Sequence, residues 1–420
     1  MLPVTEIFIL IAVLAILFVT EFVPLAMTAL IGAIMCGILG ILPLDQLFLG
    51  FSNPTLIFLA AMYVIGSSLF YTGLAQNIGN IIIKSCGRSE SSLMFGLMLV
   101  ATLLSAVLSN TGTAACLLPI ALGICVVGKK SPSRLLMPLA FACGWGGMIT
   151  LMGAPQNIIA NVSLGAAGFS KFSFFEFSWI GIPLSIVGIV YMMTFGAKLL
   201  PSESESFRYN MLADISNDSF NRKKQAASGI TLLSIVVIMA LDVRVIPLEI
   251  AAVLGALFCV ATRCITNKQA FFSIDWSAIF LFAGMIPVAK AMSVTGVGEV
   301  FADYVLSWIG SSFNPYIVLI ISFLFCCALT QFMPNTVSAM LLCPVGISVA
   351  QTLNINPHTI IMTIVVASSC AYATPIGAPS NLLVLGYGGY SFRDYLRVGT
   401  GLLFLSFVVS IFLIPIIWPF

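Results

Sequence analysis

The chain repeats itself, and a repeat limits the possible folds more than any composition does. "VPLAMTALIGAIMC" (Val23–Cys36) lies over "IPLEIAAVLGALFC" (Ile246–Cys259), and Pro, Leu, Ala, Gly, Ala and Cys recur at an offset of 223. "FYTGLA" around Gly73 matches "SVTGVG" around Gly296 at the same offset. Asn110 pairs with Asn335 and Pro119 with Pro344 at 225, and "GAPQN" (Gly153–Asn157) pairs with "GAPSN" (Gly377–Asn381) at 224. The chain is therefore read as two copies of one unit, 1–197 and 229–420. A polar linker, 198–228, joins them and carries the longest charged stretch, "PSESESFRYNMLADISNDSFNRKK".

Composition says which solvent the copies face. The chain is 60% hydrophobic and 8% charged, with a mean hydropathy of +1.12, whereas soluble domains carry roughly 25% charged residues. Such a chain cannot cover itself with polar surface, so a lipid bilayer is the expected solvent. A spanning helix needs about 20 mostly apolar residues. Five such stretches are read in each copy, near 7–23, 25–42, 55–75, 134–162 and 177–199, and near 229–243, 247–264, 276–293, 357–386 and 395–418. Residues 1–22 lack a basic leader and a small-residue cleavage site, and read as a first span. The net charge of +2 comes with no basic patch, which gives no reason to expect a nucleic-acid partner. The eleven Cys sit in apolar segments and read as small hydrophobes, and the single His358 excludes a multi-His metal site.

Each copy also holds one irregular segment, 91–128 and 314–353. It is either two full spans or one re-entrant hairpin that turns at a polar motif. Either way the number of crossings between copies is odd, and the copies are inverted relative to each other. With an external N-terminus, 14 of the 17 Lys and Arg fall on the inner side and only Lys171, Arg244 and Lys290 fall outside. That bias predicts external termini and a cytoplasmic linker. The first hairpin then enters from the cytoplasm and the second from outside.

The polar motifs are the functional signal. "LSNTGTAACLLP" from Leu108 and "MPNTVSAMLLCP" from Met333 each put an Asn-Thr pair inside an apolar run. "TLMGAPQN" (Thr150–Asn157) and "TPIGAPSN" (Thr374–Asn381) add a broken helix in each copy, at 150–157 and 374–381. Irregular backbone at membrane depth survives only where it is buried in protein or lines a wet cavity. Ser, Thr and Asn cap helix starts, and Pro suits a first helical turn. Free N–H groups at four half-helix starts favour an anion. Unpaired carbonyls of the arriving chains, with Ser, Thr and Asn oxygens, suit a hard cation such as Na+.

At these residues the sequence resembles the divalent-anion/sodium symporter family, the dicarboxylate, citrate and sulfate carriers of the larger ion-transporter superfamily. The resemblance covers nearly the whole chain and is strongest at "SNT" (109–111), "NT" (335–336) and the paired Gly-Ala-Pro-x-Asn breaks. It implies an all-α polytopic membrane protein of two inverted repeats, each with five transmembrane helices, one re-entrant hairpin and a broken helix. It implies two Na+ sites, one from Ser105, Ser109, Asn110 and the backbone near Gly153, the other from Thr330, Asn335 and the backbone near Ala373 and Gly377. Substrate carboxylates would meet Ser109, Asn110, Thr111, Asn335, Thr336, Thr374 and Pro375, with Thr150, Asn157 and Asn381 in support. It further implies a homodimer in the bacterial inner membrane that works as an elevator. One departure stands out: Pro334 occupies the place of a Ser, which removes a hydroxyl from the expected shell.

Other readings compete. A cation/proton antiporter, or a metalloid or other oxyanion permease of the same superfamily, is the alternative. Proton exchange wants buried carboxylates, and only Glu21 and Glu249 are placed to serve. An enzyme is not expected, since no Ser-His pair, paired acids or multi-His cluster shares a depth. Lys290 reads as a snorkelling side chain. Leu74–Arg88 and Gly298–Ile309 read as amphipathic interfacial helices linking a fixed and a moving domain.

Overall fold

The computed structural model describes residues 2–20, 22–74, 77, 89–128, 130–201, 221–240, 247–274, 276–296 and 314–420. Both expected interfacial helices lie mostly or wholly outside the described residues, as do Glu21, Arg244 and most of the linker. Among the described residues the fold is all α-helical, with no strand.

The helices of the first copy are α1 (Leu2–Thr20), α2 (Leu25–Ile38), α3 (Pro54–Tyr71), α4 (Glu90–Ser105), α5 (Asn110–Gly128), α6 (Leu136–Gly146), α7 (Pro155–Ala166) and α8 (Ser178–Tyr191). The last continues through a π turn to Leu199. The second copy gives α9 (Arg222–Ala240), α10 (Leu248–Ala261), α11 (Asn267–Ser273), α12 (Trp276–Thr295), α13 (Pro315–Thr330), α14 (Asn335–Thr352), α15 (Pro357–Ser369), α16 (Pro379–Gly388) and α17 (Phe392–Ile417). The bounds of α2 and α10 differ by 223 at both ends, and those of α4 and α13 by 225. Local chemistry sets the starts. Pro54, Pro155, Pro315, Pro357 and Pro379 each open a helix, where a missing N–H costs nothing. The side chains of Ser89, Asn314 and Asn356 accept first-turn N–H groups. Gly389 closes α16 with a left-handed φ of 62°, a conformation that a Cβ disfavours.

The packing exchanges partners between copies. Helix α2 lies on α12, and its counterpart α10 lies on α3. Helix α7 packs on α14 and α15, and its counterpart α16 packs on α5 and α6. Two groups of helices result. One is α1–α3 with α9–α12; the other is α4–α8 with α13–α17, and α12 reaches across to α7 and α14.

Polarity runs inside out. Ser105, Thr113, Asn157, Thr330, Ser338 and Thr363 are buried, while Ile9, Phe404, Phe412 and Ile416 are more than half exposed. Helix α17 (26 residues) and Ser178–Leu199 (22 residues) are long and apolar enough to cross a bilayer. At 1.5 Å per residue they run about 39 and 33 Å.

A buried phenol ties the second group together. Tyr390 Oη accepts from Met137 N at 2.7 Å and donates to Ser133 O at 2.7 Å. Tyr390→Phe leaves both backbone groups unpaired away from water and is expected to cost about 1–3 kcal/mol. Unfolding of the detergent-solubilised variant by denaturant reads this, and an unchanged midpoint argues against it.

Candidate functional site

The interruptions between α6 and α7 and between α15 and α16 run over 147–154 and 370–378. They begin earlier than the Gly-Ala-Pro motifs, which stand at their far edges. In both copies an Asn clamps the loop: Asn157 Nδ2 donates to Gly147 O (2.9 Å) and Thr150 O (2.7 Å), and Asn381 Nδ2 to Ala371 O (2.7 Å) and Thr374 O (3.3 Å). A Thr ties the loop to the hairpin: Thr150 donates to Ala106 O, and Thr374 donates to Gln331 O at 2.6 Å. These bonds recur at offsets of 224 and 225, so the duplication extends to single hydrogen bonds.

Each clamped loop meets a hairpin turn in a pocket of oxygens. In the first copy, the buried Ser105 Oγ lies 2.8 Å from both Asn110 Oδ1 and Cys143 O. Asn110 Oδ1 also stands 2.9 Å from Cys143 O and 3.0 Å from Gly153 O. In the second copy, Thr330 Oγ1 lies 2.8 Å from Asn335 Oδ1 and 2.7 Å from Ser368 O. Asn335 Oδ1 stands 2.8 Å from Gly377 O and 2.9 Å from Ser368 O. An amide oxygen among three oxygens is repelled by all of them except a hydroxyl that donates to it. Two arrangements relieve this. The amide turns over and donates N–H to the carbonyls, or a hard cation sits among the oxygens.

The donor set fits Na+. Each pocket offers an amide oxygen, a hydroxyl and two carbonyls, all neutral, and no soft or titratable ligand. No group of three His, Cys, Asp or Glu that could hold a metal exists among the described residues. Gly147 lets Asn110 in, because a Cβ there would overlap the Asn110 amide. Three further buried polar atoms lack a protein partner nearby: Thr113 Oγ1 and Ser338 Oγ, each three residues past the pocket Asn and 225 apart, and Asn157 Oδ1.

The expected residues divide into groups. Ser105, Asn110 and Gly153 meet in one pocket, and Thr330, Asn335 and Gly377 in the other. Ser109 is turned to its own backbone: its Oγ accepts from Gly112 N at 3.2 Å. Ala373 N donates to Gln331 Oε1 at 3.1 Å, and Ala373 is not among the oxygens around Asn335. Thr111 is exposed and Thr336 half-buried at the two turns, while Thr374 and Pro375 are buried in the second loop. Asn335 N donates to Gly377 O at 3.2 Å. The N–H groups of Asn110, Thr111 and Thr336 meet no protein acceptor among the described residues. The carbonyls of Cys143 and Ser368 were not anticipated. Backbone ligands carry no side-chain signature, and those two positions hold different residues.

A family model described as a citrate transporter matches residues 15–341 and 299–420. An uncharacterized transporter of Escherichia coli (strain K12), YfbS, is 24% identical, and the match covers 98% of each chain. The sodium-dependent dicarboxylate transporter SdcS of Staphylococcus saprophyticus is 23% identical, covering 96% of this chain and 83% of that protein. Among solved structures, the Alcanivorax borkumensis YdaH transporter superposes with a TM-score of 0.63 at 16% identity, covering 88% of this chain and 86% of that one.

Proposed function

The chain belongs to the citrate transporter family, and from that premise we propose that it is a Na+-coupled symporter of a small divalent anion, a di- or tricarboxylate. It is an integral membrane transporter of the citrate/dicarboxylate group and not an enzyme. The observation that carries the proposal is the pair of matched oxygen pockets, one in each copy, built from Ser105, Asn110, Cys143 O and Gly153 O and from Thr330, Asn335, Ser368 O and Gly377 O. A sodium-dependent relative supports the choice of ion.

In this reading each pocket holds one Na+, which turns the Asn oxygen inward and supplies the positive charge that no side chain provides. The substrate carboxylates lie at the adjoining helix starts, against Ser109, Thr111, Thr336, Thr374 and the free N–H groups of α5 and α14. Cation and anion then offset each other's desolvation, which makes binding of one depend on the other. Pro334 leaves the second turn one hydroxyl poorer than the first, and that asymmetry bears on which anion is accepted.

The copies are inverted in this reading, with α4–α5 and α13–α14 as hairpins that enter from opposite sides. The group carrying both pockets is the moving body of an elevator. The group containing α2, α3, α10 and α12 is the scaffold of a homodimer. Its contact with the moving body runs chiefly through α12, which suits sliding. Both termini are external and 198–228 is cytoplasmic. Glu249 opens α10 in the scaffold group, away from both pockets, which weighs against proton antiport.

Uptake of labelled succinate, citrate and sulfate into proteoliposomes tests this. Uptake of one of them driven by an inward Na+ gradient is expected. Uptake indifferent to Na+ that follows the pH gradient would rule out Na+ as the coupling ion.

A further inference from the structure

We infer that Gln156 couples the two cation pockets, a role that rests on the two-Na+ reading above. Gln156 Nε2 donates to Ser369 Oγ at 2.7 Å, and both side chains are buried, at 2% and 3% exposure. The Ser369 hydroxyl gives its own proton to Val365 O at 2.9 Å, which makes it the acceptor for Gln156.

The position of this bond in the fold is what matters. Gln156 stands three residues after Gly153, whose carbonyl lines the first pocket, and beside Asn157, which clamps that pocket's loop. Ser369 follows Ser368, whose carbonyl lines the second pocket. One buried hydrogen bond therefore joins the wall of one pocket to the wall of the other, across the contact of α7 with α15. Few peptide units separate either end from a pocket oxygen, and a shift of one wall is transmitted to its neighbour. Among the described residues this is the one hydrogen bond between the two walls. The repeat equivalents of Gln156 and Ser369 are Ser380 and Gly144, and a glycine has no side chain to receive a partner. Tyr372 of the second loop also packs against Phe141 and Trp145 beside the first pocket, but the hydrogen-bonded link has no repeat counterpart, and Gln156 is a positioning residue that supplies none of the pocket oxygens.

The two pockets should fill cooperatively, and loss of the bridge should uncouple them. A buried hydrogen bond of ordinary strength corresponds to a coupling factor of about fivefold. The test is a Na+ titration of tryptophan fluorescence on purified full-length protein, with choline holding ionic strength and no anion added. Trp145 stands two residues from the Cys143 carbonyl and reports the first pocket. The wild type is expected to titrate with a Hill coefficient of about 1.4, the value a fivefold coupling of two equivalent sites gives. Ser369→Ala and Gln156→Leu are expected to fall towards 1 with the midpoint raised about twofold, and Ser369→Thr, which keeps the hydroxyl, to retain cooperativity. Ser369→Ala removes one oxygen and tests the bridge even where Gln156→Leu fails to fold. Variants that titrate like the wild type, or a non-cooperative wild type, overturn the coupling and leave the two-pocket reading standing. A wild type with no Na+ response overturns both.

Discussion

Asn110→Ala and Asn335→Ala are each expected to raise the Na+ concentration for half-maximal uptake by about tenfold to a hundredfold. Among the described residues Asn110 and Asn335 bring the only side-chain amides to their pockets, the inward atom of each within 3.0 Å of the other oxygens, and in the Na+-bound reading that atom is the amide oxygen. Their removal leaves a hydroxyl and two carbonyls to hold a desolvated charge. A hydrogen-bonding group facing a charge contributes roughly 1.5–3 kcal/mol, and about 1.4 kcal/mol is a factor of ten. The loss should show in Na+ dependence before anion dependence, because the free N–H groups at the helix starts remain. Initial rates in proteoliposomes at stepped external Na+ separate the two. Wild-type Na+ dependence in both variants would show that the amides only brace packed helices.

Gly377→Ala is expected to abolish transport and lower stability by about 1–3 kcal/mol or more, as overpacking does. A Cβ at Gly377 falls inside the Thr330 carbonyl oxygen and lies 2.6 Å from Ala371 Cβ. The first of these is backbone at the end of α13 and cannot swing away. Gly153→Ala is the milder partner, since its Cβ meets Gly147 O at 2.6 Å and Ser105 O at 2.8 Å. In contrast, Gly386→Ala in α16 meets nothing within 4 Å and should be neutral or slightly stabilising, by up to about 1 kcal/mol. Thermal unfolding in detergent ranks the three. A Gly377 variant as stable as the Gly386 variant contradicts the close approach of the second loop to α13.

Much of this architecture was legible before any coordinates. A polar pair at equal places in two apolar runs has few uses, and Asn110 and Asn335 indeed stand at the centre of matched clusters. The paired Gly-Ala-Pro-x-Asn motifs marked both loops, and the structure adds that Asn157 and Asn381 hold them with matching bonds. The exchange of partners, α2 onto α12 and α10 onto α3, was not legible, because all four helices are predominantly apolar and carry no strong directional stripe. The interruptions start at Gly147 and Cys370, earlier than the prolines suggested. Helix ends depend on where tertiary partners capture the carbonyls, here Ser105 and Thr330. Gln156 escaped notice for a related reason. It breaks the repeat, and only packing reveals that its amide reaches Ser369.

The most direct measurement is the melting temperature of the purified protein across a panel of anions, taken once in NaCl and once in choline chloride at equal ionic strength. Co-binding in a shared site predicts that one divalent anion raises the melting point in Na+ and leaves it unmoved in choline. An equal rise in both salts would contradict the account, because the anion would then be held without the cation that the paired oxygen pockets are proposed to supply.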